Sequence, residues 1–153
     1  MGIFDFIFGK PVIIENSFFG QMRFVSNKKD STKSYVECSH YFKPKNDAVE
    51  IHMSAGAEGP SQKQIEFFEN LENKYTEISN SIIPLIEDEF RNWKENFKIL
   101  DFKKEFNPVF LSIPLCDVQP VVWEIAFESD HDQNHTFTLT MEGCVATAIL
   151  IDG

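Results

Sequence analysis

From residue 35 to residue 42 the chain reads YVECSHYF, with Val36, Cys38, His40 and Phe42 on one parity and Tyr35, Glu37, Ser39 and Tyr41 on the other. Successive side chains of a strand point to opposite faces, so this alternation predicts an amphipathic strand with aromatic groups on both sides. The turn formers of PKND (44–47) follow, and AVEIHM (48–53) resumes the alternation with Val49, Ile51 and Met53 inward. The two runs are expected to pair as a hairpin. Ahead of them, VIIE (12–15) and FFGQMRFV (18–25) read as short strands, and in the second Phe18, Met22 and Phe24 share a face.

The period then changes. Ser61 and Gln64 form the S-x-x-Q capping box that opens a helix, because the serine side chain satisfies one orphan N–H of the first turn and the glutamine reaches back to another. Ile65, Phe68, Leu71, Tyr75, Ile78 and Ile82 recur at spacings of three and four and define one stripe, which Ile86, Phe90, Trp93 and Phe97 continue. Pro84 interrupts the run, and its missing N–H predicts a kink or a restart there. The opposite face carries Glu66, Glu69, Glu77, Glu87 and Asp88.

In the last third, VFLSIPL (109–115), VVWEIAFE (121–128), HTFTLTM (135–141) and CVATAILI (144–151) read as four strands. Their short joins favour sequential antiparallel pairing. The expected inward sets are Val109, Leu111, Ile113 and Leu115, then Trp123, Ile125 and Phe127, then Phe137, Leu139 and Met141. Apolar on both parities, the last strand is expected at the centre of the sheet or covered on both sides. The predicted fold is α+β: a mostly antiparallel sheet with an N-terminal hairpin and a C-terminal four-strand meander, packed on one long kinked helix or two consecutive helices.

Length and composition keep this picture within one domain, residues 1–153. A chain of this size buries roughly 68–70% of the surface its unfolded form exposes and needs no metal or disulfide to fold. Sixteen phenylalanines suggest a core filled by rings. Ile3, Phe4, Ile7 and Phe8 have helical spacing and predict a short N-terminal helix docked on the core; that stretch has neither the basic start and cleavage site of a signal peptide nor the length of a membrane span. Cys38, Cys116 and Cys144 are odd in number and widely spaced, which suits a reducing cytoplasm.

Charge narrows the partner class. The formal net charge is −10, and residues 107–153 hold seven carboxylates and no lysine or arginine. Nucleic acid and anionic membranes are bound by cations, so neither is expected as a partner. A basic protein is, if the acidic faces do more than keep the chain soluble.

Three groupings merit a chemical reading. In SDHDQN (129–134), followed by His135, the ligand types His131, His135 and Asp130 or Asp132 crowd together. A catalytic zinc or iron, however, usually draws one ligand from a separate rigid element. Six polar residues between two alternating runs read better as a hairpin loop, in which His131→Ala and His135→Ala should be nearly neutral, His135 being the one that leans toward the core. Cys38 and His40 share a face with Val36 and Phe42, which favours a buried thiol and a core histidine over a nucleophile and base. Glu124 and Glu128 lie on the outward parity of their strand, as an acid/base couple in a cleft would, or as a solvated acidic face. No Walker, G-x-G-x-x-G, G-x-S-x-G or H-E-x-x-H pattern occurs, so no cofactor is expected and the balance tilts away from an enzyme.

The order FFGQMRF, amphipathic hairpin, long helices, WEIAFES, HTFTLTMEG and ILIDG resembles that of bacterial α+β domains of unknown function, some of which are similar to immunity proteins encoded beside secreted toxins. The resemblance implies non-catalytic binding, in which an acidic surface occludes the active site of a basic toxin, often a nuclease. The expected function is thus a cytoplasmic binding protein presenting Glu66, Glu69, Glu77, Glu87 and Asp88, or Glu124 and Glu128, to a basic protein. The alternative is a small-molecule-binding domain with an aromatic pocket between sheet and helix.

Overall fold

The computed structural model describes residues 12–153; the N-terminal helix expected at Ile3–Phe8 lies outside the described residues. Among the described residues eight strands form one sheet in the order of the chain: β1 (Val12–Asn16), β2 (Gly20–Val25), β3 (Tyr35–Phe42), β4 (Asp47–Ser54), β5 (Phe106–Ile113), β6 (Val122–Ser129), β7 (Asp132–Glu142) and β8 (Val145–Asp152). All neighbours pair antiparallel except β4 and β5, which run parallel. Two meanders, β1–β4 and β5–β8, thus meet at the centre of the sheet. A parallel pair needs a crossover connection, and the helices supply it: α1 (Gln62–Asn73), α2 (Tyr75–Phe90) and the short α3 (Phe102–Glu105) all lie between β4 and β5 in the chain.

The capping box forms as expected, with Ser61 accepting from the Gln64 backbone and Gln64 from the Ser61 backbone. Phe68, Leu71, Tyr75, Ile78, Ile82, Ile86 and Phe90 are all buried. The helical run divides at Lys74, well before Pro84, which sits exposed inside α2. There the carbonyl that loses its N–H partner belongs to exposed Asn80 and can be hydrated, so the proline is tolerated. The stripe also ends sooner than its spacing suggests: α2 stops at Phe90, Trp93 is half exposed, and Phe97 is buried from a non-helical segment.

Phenylalanine rings fill the space between sheet and helices. Phe68 of α1 meets Phe42 of β3 at 5.9 Å, and Phe90 of α2 stacks on Phe97 at 4.4 Å and on Phe137 of β7 at 5.2 Å. Each fully buried ring contributes roughly 1.5–3 kcal/mol. They occupy the place where an aromatic ligand pocket was an expectation.

The inward parities of β3, β4, β6 and β7 are as expected, and three other assignments change. Val109 falls at a register shift in β5 between Pro108 and Phe110, so it leaves the inward row. Leu115 lies beyond β5 in a loop and is half exposed. Among the described residues the last strand, β8, pairs only with β7 and forms an edge of the sheet. Its apolar content reflects cover on one face by α2, whose Ser81 Oγ accepts from the Ala146 N–H at 2.6 Å. Among the described residues no helix is long and apolar enough to cross a membrane.

Candidate protein-binding surface

The helices lie on one face of the sheet. Strand register lines up the other. One row crosses it through Arg23, Glu37, His52, Ser112, Glu124, Thr140 and Ala148, each the direct partner of the next. The adjacent row runs through Ser39, Glu50, Phe110, Ala126, Thr138 and Leu150. Neighbouring strands lie about 4.8 Å apart, so these side chains form a continuous surface. Glu37 is ion-paired with Arg23. Among the described residues Glu50, Glu124, Glu128 and Glu142 are exposed and have no ion-pair partner.

An aromatic island interrupts the acidic face. His52 packs against Tyr35 at 4.1 Å and stacks over Phe110 at 6.4 Å. Burial lowers the pKa of His52 below its ordinary value, against the opposing charge of Glu37.

Where β4 and β5 end and β6 begins, the face runs into a groove. A hollow of about 520 Å³ is lined by Ser54, Pro114, Leu115, Val118, Pro120 and Val122 among others. A second of about 260 Å³ shares Ser54, Pro114 and Val122 with it and adds Ser112, Glu124 and Thr140 from the open face. Leu115, Val118 and Val122 are each more than half exposed, as is Val145, which register places beyond Glu142 from Val122.

The loop that carries Leu115 and Val118 is tied from behind at its start. Buried Gln64 donates from Nε2 to the carbonyls of Ser54 and Pro114, both at 2.8 Å. Cys116 adopts φ 68° and donates its S–H to Pro114 O at 3.3 Å. The left-handed region costs a non-glycine residue about 1–2 kcal/mol, so the surrounding contacts must fix this conformation. Lys63 of α1 pairs with Asp117 at 3.1 Å. Burial, then the charge of Asp117, pushes the Cys116 thiol up to about 11, against the pull of Lys63.

The histidine-rich segment is a hairpin with a shorter connection than its polar run suggests. Ser129 pairs with Asp132, leaving Asp130 and His131 as the turn. His131 Nε2 lies 2.7 Å from Glu105 Oε1, and its ring sits edge-on to Phe97 at 5.0 Å. His135 Nδ1 lies 2.7 Å from Asp132, with the imidazole the more exposed of the two. Each imidazole has its own carboxylate, and among the described residues no three His, Cys, Asp or Glu side chains converge to hold a metal ion. Asp130 is exposed on the rim of a polar hollow of about 300 Å³ that Glu105, Glu128 and His135 also line.

Cys38 and His40 do share the inward face but make no hydrogen bond to each other. Burial, then the charge of Glu50, pushes the Cys38 thiol up to about 12. A thiol so rarely ionised is a poor nucleophile. His40 lies among the rings of Phe18, Phe19 and Phe68.

The helix carboxylates separate in role. Glu66, Glu69, Glu77 and Asp88 are exposed. Glu87, expected beside them, is buried: it accepts from the Ile99 N–H at 3.0 Å and faces Arg91 at 3.7 Å, fastening the chain that follows α2. Sequence reading missed the groove, whose one signal was a half-apolar stretch, PLCDVQPVV, that continued past its strand. No known protein family, curated protein or solved structure matches this chain.

Proposed function

We propose that this chain is a non-enzymatic binding protein that presents the open sheet face to a basic protein partner. The observation that carries the reading is the uncompensated charge of that face: among the described residues Glu50 of β4 and Glu124, Glu128 and Glu142 of the β5–β8 half stand exposed without ion-pair partners, and residues 107–153 contain no lysine or arginine. Holding like charges together opposes folding, and an opposite surface relieves the repulsion. Carboxylates so arranged steer a cationic partner and reject acidic ones. Occlusion of a basic toxin, as in immunity proteins, is the form of this function that the sequence resemblance suggests.

The helix carboxylates Glu66, Glu69 and Glu77 are a second acidic surface, but cations stand among them: Lys63 shares a hollow with Glu66, and Lys43 shares another with Glu66 and Glu69. The small-molecule alternative loses support from the ring-filled interior. The test is capture of proteins from the source cells by the parent, by Glu124→Lys/Glu142→Lys and by Glu66→Lys/Glu69→Lys, followed by affinity measurement on the purified partner. The expected partner is basic, binds more weakly as salt rises, and loses at least about tenfold in affinity to the sheet-face variant alone. Equal binding by all three forms at every salt concentration would sink the reading.

A further inference from the structure

We infer that the groove at the β5–β6 loop is the anchoring site for an extended segment of the partner in which aliphatic and basic side chains alternate. The inference rests on the basic-partner reading above and specifies where and how such a partner is held.

The loop's construction motivates it. Leu115, Val118 and Val122 stand more than half exposed, yet the segment that carries them is tied at both ends, at Pro114 by Gln64 and at Val122 by its pairing with Glu142 in the sheet. Exposed aliphatic side chains gain the fold little, whereas a rigid apolar lip lowers the ordering cost of binding. Such a patch, rimmed by polar residues, is what marks an interaction site on a soluble chain.

Charge selects the occupant. Along the strand register Val122, Glu142 and Val145 alternate apolar, acidic, apolar, and Glu124 follows Val122 on the same face. Aliphatic groups of a ligand fit against Leu115, Val118 and Val122, while its cations reach Glu124 and Glu142. Thr32 closes the other end of the groove.

Three synthetic peptides of about ten residues, long enough to span the groove at about 3.3 Å per residue, test the assignment: one alternating Leu with Lys, one Leu with Glu, one Ser with Lys. They are titrated into the isotope-labelled protein while backbone amide shifts are followed. The Leu–Lys peptide is expected to shift residues 114–124 and 142–145 and to bind at least about tenfold tighter than either control. Val118→Asp, a change at an exposed position that circular dichroism should show to be folded, is expected to reduce that binding by at least about tenfold.

Shifts confined to Glu50 and Glu128 of the open face would overturn the groove and leave the basic-partner reading standing, whereas shifts confined to Glu66, Glu69 and Glu77 would overturn both. Binding of the Leu–Glu peptide as tight as that of Leu–Lys, or binding of neither Lys peptide, would overturn both. Equal affinity for the Ser–Lys and Leu–Lys peptides would overturn the apolar anchor, and a self-associated protein that Val118→Asp dissociates would give the groove to a second copy of the chain.

Discussion

Gln64 holds Pro114 across the layer between helix and sheet: its side-chain Nε2 donates at 2.8 Å to the Pro114 carbonyl, and the same nitrogen donates at 2.8 Å to Ser54. Its Oε1 meanwhile accepts from the Ser61 N–H at 2.9 Å, so one buried amide caps α1 and ties the ends of β4 and β5 together. Gln64→Leu takes the amide donor from two carbonyls, leaving Pro114 O only the weak Cys116 S–H, and Gln64→Glu sets a carboxylate against them. Each unsatisfied buried group costs about 1–3 kcal/mol. Urea unfolding is expected to show a loss of about 3 kcal/mol for the first variant and no smaller loss for the second.

Phe90 is the ring on which the second half of the core turns, stacked on Phe97 and Phe137 and edge-on to Phe106 at 6.1 Å. Phe90→Ala removes contacts that the surrounding rings cannot close in on, and a loss of about 3–5 kcal/mol is expected in the same assay. A loss below about 1 kcal/mol would show that α2 does not seal this end of the sheet.

The two hairpin histidines differ, and in the opposite sense to the sequence expectation. His131 is partly buried against Phe97 and bonded to Glu105, so His131→Ala is expected to cost about 1–2 kcal/mol. His135 stands in solvent, and His135→Ala is expected to leave the melting temperature within about 2 °C of the parent. A strong chelator is expected to leave the melting curve unchanged, which differential scanning calorimetry can check.

Glu105 gives a predictable response to acid. Burial pulls its pKa upward, but the Asp101 N–H, the His131 ring and the Leu100 N–H together hold it below the ordinary carboxylate value. A carboxyl with a lowered folded pKa adds stability that is fully present above its unfolded value, about 4.3, and is lost as pH falls through the folded value. Glu105→Gln is expected to flatten the decline in stability between roughly pH 5 and pH 3, measured by unfolding at fixed ionic strength.

His52 responds in a higher window. Burial lowers its pKa in the folded chain, so the unfolded chain binds its proton first. The sheet is therefore most stable above about pH 6.5 and loses that stability as pH falls from there toward the folded value. His52→Gln, which cannot titrate, is expected to lose less between about pH 7.5 and pH 5.5 than the parent does.

Local patterning along the chain accounts for the elements and most of their faces. Period two put Val36, Cys38 and Phe42, or Trp123, Ile125 and Phe127, on one side of a strand, and period near four put Phe68 to Phe90 on one side of the helices, because both periods come from backbone geometry within a few residues. It also exposed the Ser61–Gln64 cap, the hairpin nature of the histidine segment and the acidic parity of Glu124 and Glu128. Long-range contacts set the rest: β4 and β5 pair in parallel, β8 is an edge among the described residues, Glu87 turns inward to Ile99, and Leu115 leaves the core for the rim of a groove. Each of these depends on which distant segment supplies a backbone partner or a covering side chain. The alternation along LSIPL is the same whether the chain stays in the sheet or turns out of it at Pro114. That choice rests with Gln64, fifty residues earlier, because a buried carbonyl must find a donor wherever in the chain one can reach it.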